Sequence, residues 1–344
     1  VLEFWNLSAS LCFGDEVDAM ASCREARIGV SWHIVKLLAP AKINLHLRVA
    51  PATSDGFHPL LSWMCTVGLF DSLILQRATD GQLRLRCDDP SLPCDGSNLV
   101  VRAAEAVSRY AVPPVGHIES RAAGEGGLAI ELQKRIPMGG GLGGGSSDAA
   151  RIVLGLSRFW EMHLPLDQLS AICAGLGSDV AFFCHGPSSI CSGRGQIVRP
   201  IGVPMPRWAV LILPPIAVPT GPVYKRFDQL LSDDDRRQLT EAVESEPKWE
   251  EWRSLAAEDL LAKLINDLER PAFDLHPELA RLRGELEQFV GRIVRMSGSG
   301  SSLFTLYDDA CAAEDSAERI TRRGGCRAIA VALAPQIEDD LAAC

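Results

Sequence analysis

The sequence predicts an α+β protein built as two domains, and three observations carry that prediction. At 344 residues with 47% hydrophobic content, the chain can supply two cores of ordinary size. Stretches that alternate every second residue are interleaved with stretches that repeat at helical spacing. Six glycines in the seven positions 139–145 separate a strand-like run from an apolar helical one, a junction that belongs inside a domain and not to a linker.

Composition removes several function classes. The net charge is -10, with 44 acidic against 34 basic residues and no Lys/Arg stripe, which argues against a protein that grips a nucleic-acid backbone. A small anionic substrate held by a few local donors stays open. The 11 cysteines are scattered without a Cys-x-x-Cys pair, which predicts reduced, mostly buried thiols and a cytoplasmic setting. Cys184, His185 and Cys191 lack a second close pair of ligands, so zinc is not expected. No apolar run reaches the ~18 residues of a membrane span. Either a monomer or a homodimer fits.

Residues 1–38 show little sustained periodicity and are read as an N-terminal extension of unknown role, with Met20 as an alternative start. No basic segment precedes a long apolar run, which speaks against a signal peptide. From Ala39 the chain becomes regular. Lys42, Asn44, His46 and Arg48 alternate with Ile43, Leu45, Leu47 and Val49, predicting a half-buried strand whose polar face pattern alone reads as solvated. A turn at Ser54–Gly56 leads to a strand over Leu61–Val67, and Leu73–Leu75 and Leu83–Cys87 read as two short strands about Asp80-Gly81. Asn98 is placed to cap a helix reaching Tyr110, with Leu99, Ala103, Ala106 and Tyr110 on one face.

Leu128–Lys134 reads as a strand, Ala149–Trp160 and Asp167–Ala174 as helices. Asp179 follows a glycine-bearing turn and precedes an apolar run, a pattern that by itself describes a helix cap. A strand starts near Trp208 and stops at Pro214-Pro215; the polar span Asp233–Asp259 reads as a solvated helical excursion. Pro277 opens a helix through Leu279, Leu282, Leu286 and Phe289. Strand residues flank a tight glycine turn within Val294–Tyr307, and Ile329–Leu333 supplies a last strand. The order after residue 207 fits a ferredoxin-like unit.

The glycine run needs a compensating use, because glycine loses much conformational freedom on folding. Backbone N–H groups with no side chains in the way, ahead of a helix N-terminus, form a concave anion site, and nucleotide phosphate is the expected occupant. The run matches neither common nucleotide motif: no lysine precedes the serines, and the strand–turn signal does not fit G-x-G-x-x-G with a ribose-binding acid about 20 residues on.

Pro137 through Ala150 resembles the second motif of the GHMP kinases, the small-molecule kinases that include galactokinase, homoserine kinase and mevalonate kinase. Pro40-Ala-Lys-Ile-Asn-Leu45 resembles their first motif and Met296-Ser-Gly-Ser-Gly300 their third, and similar blocks run in the family's order from Ala39 through Leu306. The resemblance implies a two-domain GHMP kinase fold, ribosomal protein S5 domain 2-like over 39–200 and ferredoxin-like over 201–344. It also implies phosphorylation of a small-molecule alcohol with ATP and Mg2+. Asp179 would be the general base, and Lys42 would orient it and neutralise the transferred group. Nucleotide contacts would come from Asn98, Pro137, Gly139, Gly140, Gly141, Leu142, Gly143, Gly144, Gly145, Ser146 and Ser147, with Gly298 and Gly300 of the third motif. The metal ligands stay open, because two extra glycines blur the loop's register.

The long loop and the block Asp55-Gly-Phe-His58 are similar to those of members whose acceptor is cytidine diphosphate methylerythritol. That implies acceptor contacts from Asn44, Phe57, His58, Thr220 and Tyr224, with Phe57 and Tyr224 covering the cytosine and His58 bonding its edge. Phe57 replaces the family's tyrosine, Ser178 an alanine, and Asp148 stands where asparagine is common and adds negative charge beside phosphate. A different alcohol, such as a uridine or inositol acceptor, is favoured if Phe57 and His58 lie away from the pocket. A non-catalytic RNA-binding or regulatory protein of the same fold would need a basic face and can dispense with Lys42 and Asp179.

Overall fold

The computed structural model describes residues 34–110 and 127–341. Nearly all of the predicted N-terminal extension lies outside them. The first sheet contains β1 (Val35–Val49), β2 (Leu60–Ala78), β3 (Leu83–Cys87), β4 (Gly127–Gln133), β5 (Ser188–Gly193) and β6 (Ile197–Pro200). Its path is β3-β4-β2-β5-β6, with β1 paired antiparallel along β2. Helices α1 (Leu99–Ser108), α2 (Gly144–Phe159) and α3 (Leu166–Leu176) share an apolar core with it, and Gly155 lets α2 close on Leu37 of β1, where a Cβ would lie 2.5 Å from Leu37 Cδ1.

The second sheet contains β7 (Trp208–Leu213), β8 (Arg295–Met296), β9 (Leu303–Tyr307) and β10 (Arg327–Ala332) in the order β10-β7-β9-β8, all antiparallel. With helices between β7 and β8 and between β9 and β10, this is the expected ferredoxin-like arrangement. Those helices are α4 (Thr220–Leu230), α5 (Asp233–Glu244), α6 (Trp249–Trp252), α7 (Ala257–Lys263), α8 (Glu269–Leu275), α9 (Pro277–Val290) and α10 (Ala310–Arg323). A second core joins Ile43 and Leu45 of β1 to Leu211 of β7 and Phe304 of β9, and a third lies under α4, α9 and α10. Among the described residues no helix is long and apolar enough to cross a membrane.

Four local readings are corrected. β1 is buried on both faces: Lys42, Asn44 and His46 are as inaccessible as the apolar residues between them, because the strand runs between two layers. Residues 61–67 and 73–75 belong to one continuous strand, β2; the intervening Asp71 is buried and ion-paired. Asn98 does cap α1, accepting the Val100 N–H, but the buried face is Val100, Val101, Ala103, Ala104 and Val107, while Tyr110 is exposed. The polar span is solvated throughout α5 but not beyond it as a whole: Trp249 in α6 is buried against His46, Trp63 and Trp252.

His46 gives this packing a pH dependence. Its Nδ1 accepts the Ile265 N–H at 3.1 Å, so the neutral ring carries its proton on Nε2. Burial, then Arg48 and Arg295, lower its pKa from 6.5 to about 3. A depressed histidine stabilises the fold fully above the unfolded pKa and progressively less as pH falls toward the folded one. We therefore expect a loss approaching about 1.4 kcal/mol per pH unit below 6.5 from this group. Urea unfolding from pH 7 to pH 4 checks it, and His46→Gln should flatten the slope.

Candidate active site

Lys42 reaches the site from β1. Its backbone N–H donates to the Leu142 carbonyl at 2.9 Å, which ties the strand to the glycine loop. Its Nζ donates to Asn44 Oδ1 at 2.6 Å and lies 3.2 Å from Asp179 Oδ2. Asn44 Nδ2 in turn donates to Ser62 Oγ at 2.9 Å, so the amide is held with its oxygen toward the lysine. Lys42 is buried while the Asp179 side chain is 35% exposed, so the pair opens on one side only. Asp179 caps no α-helix; it lies in the turn before a short 3-10 helix, Ala181–Cys184, whose cap is Val180.

The glycine loop packs against this pair. Gly139, Gly141 and Gly143 adopt φ of 68°, 75° and 69°, in the left-handed region. A Cβ on Gly143 would stand 3.0 Å from Lys42 Cγ, and one on Gly141 would stand 2.2 Å from the Ser297 carbonyl oxygen. Ser297 Oγ donates to the Gly141 carbonyl at 3.0 Å, and Ser302 N–H to that of Gly140 at 3.2 Å, so the third-motif turn braces the loop. α2 begins at Gly144, five residues earlier than predicted, and its cap Gly143 supplies no side-chain bond. The N–H groups ahead of Ser147 thus carry no side-chain cap, the condition under which a helix N-terminus suits an anion.

Two cavities meet at this loop. The larger, about 680 Å³, is lined by Lys42, Asn44, Phe57, His58, Asp179, Thr220, Tyr224 and Gly298. The smaller, about 380 Å³, is lined by Asn98, Pro137, Gly139, Gly140, Leu142, Gly144, Gly145 and Ser146. Gly141 and Gly143 line both. The Ser147 hydroxyl faces neither: it is buried in the first turn of α2 without a hydrogen-bond partner. Gly300 lines neither either; a Cβ there would stand 2.8 Å from Met296 Sδ.

In the larger cavity the His58 and Tyr224 rings lie 4.9 Å apart, and His58 Nδ1 is 3.0 Å from the Ala50 carbonyl. Burial, then the Asp179 charge, push the Tyr224 phenol up to about 12, so it remains a hydrogen-bond donor at neutral pH. Phe57 is half exposed, and the Arg194 guanidinium sits 3.8 Å above its ring. Thr220 Oγ1 is 2.9 Å from Ser299 Oγ at the start of α4. Arg194, Lys225 and Asp228 also line this cavity. The sequence reading missed them, because isolated charges in a loop and on a helix carry no motif.

Asp148 is 2% exposed and donates no charge to open solvent; its Oδ2 accepts from Lys134 Nζ at 2.8 Å. Burial first, opposed by Lys134, raises its pKa. Cys184 Sγ lies 2.9 Å from Cys173 Sγ, His185 Nε2 is 2.8 Å from Ser170 Oγ, and Cys191 is buried in β5. Among the described residues no three His, Cys, Asp or Glu side chains gather as a metal site.

Fold and site together define a phosphotransferase class. The family model for the GHMP kinases N-terminal domain matches residues 98–187, and that for the GHMP kinases C-terminal domain matches residues 229–326. The chain belongs to the GHMP kinases, which are ATP-dependent phosphotransferases. It is similar to the 4-diphosphocytidyl-2-C-methyl-D-erythritol kinase of Prochlorococcus marinus (strain MIT 9313), 37% identical over 83% of this chain and 88% of that protein. The Bacillus subtilis (strain 168) kinase of the same name is 33% identical over 78% of this chain and 86% of its own length. A solved 4-(cytidine 5'-diphospho)-2C-methyl-D-erythritol kinase superposes with a TM-score of 0.68 at 34% identity, covering 88% of this chain and 100% of the other. A homoserine kinase from Cytophaga hutchinsonii, at 16% identity and a TM-score of 0.65, covers 91% of this chain and 98% of its own and shares the fold.

Proposed function

We propose that the chain transfers the γ-phosphoryl group of ATP to the 2-hydroxyl of 4-diphosphocytidyl-2-C-methyl-D-erythritol. The observation that carries the reading is the Lys42–Asp179 pair beside the loop that separates the two cavities. ATP occupies the smaller cavity, its adenosine toward Asn98 and its phosphates on the loop and the first turn of α2. The acceptor occupies the larger one, its cytosine by His58 and Tyr224 and its diphosphate within reach of Arg194 and Lys225.

In the reaction the acceptor oxygen forms a bond to the γ-phosphorus as the bond to the β-phosphate oxygen breaks, and ADP leaves. Asp179 takes the hydroxyl proton as bond formation acidifies it. Lys42 holds the carboxylate in place and offsets charge on the transferred group. The Ser146 hydroxyl and the Asp179 carboxylate are the protein oxygens beside the loop that would hold a Mg2+ ion, and such an ion would supply charge neutralisation. The domain boundary falls near residues 200–201, between β6 and β7. Free thiols such as Cys65 and Cys191 fit a reducing, cytoplasmic setting, and a monomer or homodimer serves equally.

Radiolabelled ATP with a panel of the cytidylated acceptor, free methylerythritol, mevalonate and homoserine tests this reading. Label should reach only the first; equal transfer to the uncytidylated alcohols would remove the nucleobase contacts. In Lys42→Met we expect kcat to fall about 100-fold or more while the KM for ATP stays within about threefold. Steady-state kinetics decide it, and near-normal turnover would sink the role of Lys42.

A further inference from the structure

The two ends of the glycine loop are tied to one buried group of charges. Asp71, midway along β2 and fully inaccessible, accepts the backbone N–H groups of Arg135 and Ile136 on Oδ1. Those two residues lead from β4 into the loop. Its Oδ2 pairs with Lys134 Nζ, and a Cβ on Gly144 would stand 3.3 Å from that oxygen. Lys134 then donates to Asp148 on the second turn of α2, the helix that leaves the loop. Two carboxylates and one ammonium thus join loop entry to loop exit, with Lys134 and Asp148 on the wall of the smaller cavity. Asp148 Oδ1 has no partner although it is buried.

Burying such a group costs desolvation, and an apolar cluster of the same volume would hold the fold as well. What the charges add is a shared tie: Lys134 Nζ contacts Asp71 and Asp148 at once while Asp71 also holds the N–H groups of residues 135–136, so the group links the loop's entry to the first turns of α2. We propose that Lys134 and Asp148, with Asp71, are positioning residues for nucleotide, a charged strut that fixes the glycine loop so its N–H groups converge on the phosphates. This rests on the reading that ATP occupies the smaller cavity.

Asp148→Ala and Asp148→Asn test it in the full chain. The alanine variant should raise the KM and the Kd for ATP at least about tenfold with the acceptor KM within about twofold. The asparagine variant keeps an oxygen for Lys134 and should restore ATP affinity to within about threefold of the parent. Hydrogen exchange on the nucleotide-free protein supplies a readout independent of activity: amides of residues 135–148 should lose protection in Asp148→Ala while those of β7 to β10 keep theirs. Unchanged ATP affinity with unchanged protection would overturn the proposal, as would equal effects of the two substitutions. If Asp148→Ala does not fold, the same measurements on Asp148→Ser apply. Failure to phosphorylate the cytidylated acceptor would sink the proposed substrate and leave these nucleotide and exchange readouts standing.

Discussion

An Asp179→Asn variant is expected to bind ATP and the cytidylated acceptor nearly as the parent does and to turn over about 100 to 10,000 times more slowly. The carboxylate is the group beside both Lys42 and the glycine loop that can accept the hydroxyl proton, and it is open to the larger cavity on one side. Asparagine keeps its shape and one oxygen but no longer takes up the proton, so the loss falls on kcat and not on affinity. Single-turnover rates with binding measured separately by calorimetry check the split. A parallel loss of ATP affinity would mean that the charge pair organises the loop instead of the chemistry.

The second large effect is expected at Gly141→Ala. The position has φ of 75°, which costs an L-residue about 1–2 kcal/mol. The larger obstacle is steric: the new Cβ would stand 2.2 Å from the Ser297 carbonyl oxygen, a backbone atom that accepts the Gly300 N–H at 3.0 Å and sits between the Met296 and Gly298 carbonyls held by Asn266 Nδ2. Loop and turn must separate, which opens the contact between the two cavities. A displacement of about 1 Å at a reacting centre costs about 100-fold in rate. We expect a loss of that order in kcat/KM, with a lower melting temperature. By contrast, Gly139→Ala meets no atom within 4 Å and carries only the strain of its φ of 68°, so it should be the milder of the two.

Much of this was legible in the sequence where local chemistry dictates local shape. Asn98 before an apolar run reads as a cap and is one, and the alternation from Ala39 reads as a strand and is one. What the pattern does not contain is where a second layer lies. Lys42, Asn44 and His46 look like a wet face because nothing in a single strand shows that another sheet covers it. In α1 and its C-cap the polar stripe Arg102, Glu105, Ser108 and Arg109 does fix the phase, and all four are exposed; the expected face of Leu99, Ala103, Ala106 and Tyr110 lies rotated from the buried one opposite that stripe. β2 reads as two pieces because Asp71 and Ser72 interrupt its apolar pattern; the strand continues because Lys134, more than sixty positions away, neutralises Asp71. Arg194 was invisible for the opposite reason, since its place over Phe57 depends on how a loop returns and not on its neighbours.

Gly141 and Gly143 are walls of both chambers at once. A partition made of bare main chain offers no side chain that could be altered to tune one ligand without disturbing the other. On the proposed assignment of acceptor and ATP to the two chambers, selectivity among alcohols and among nucleotides is written at the far ends, around Tyr224 on one side and Asn98 on the other. An inhibitor long enough to span from one end to the other would have to pass the single place this fold cannot redesign.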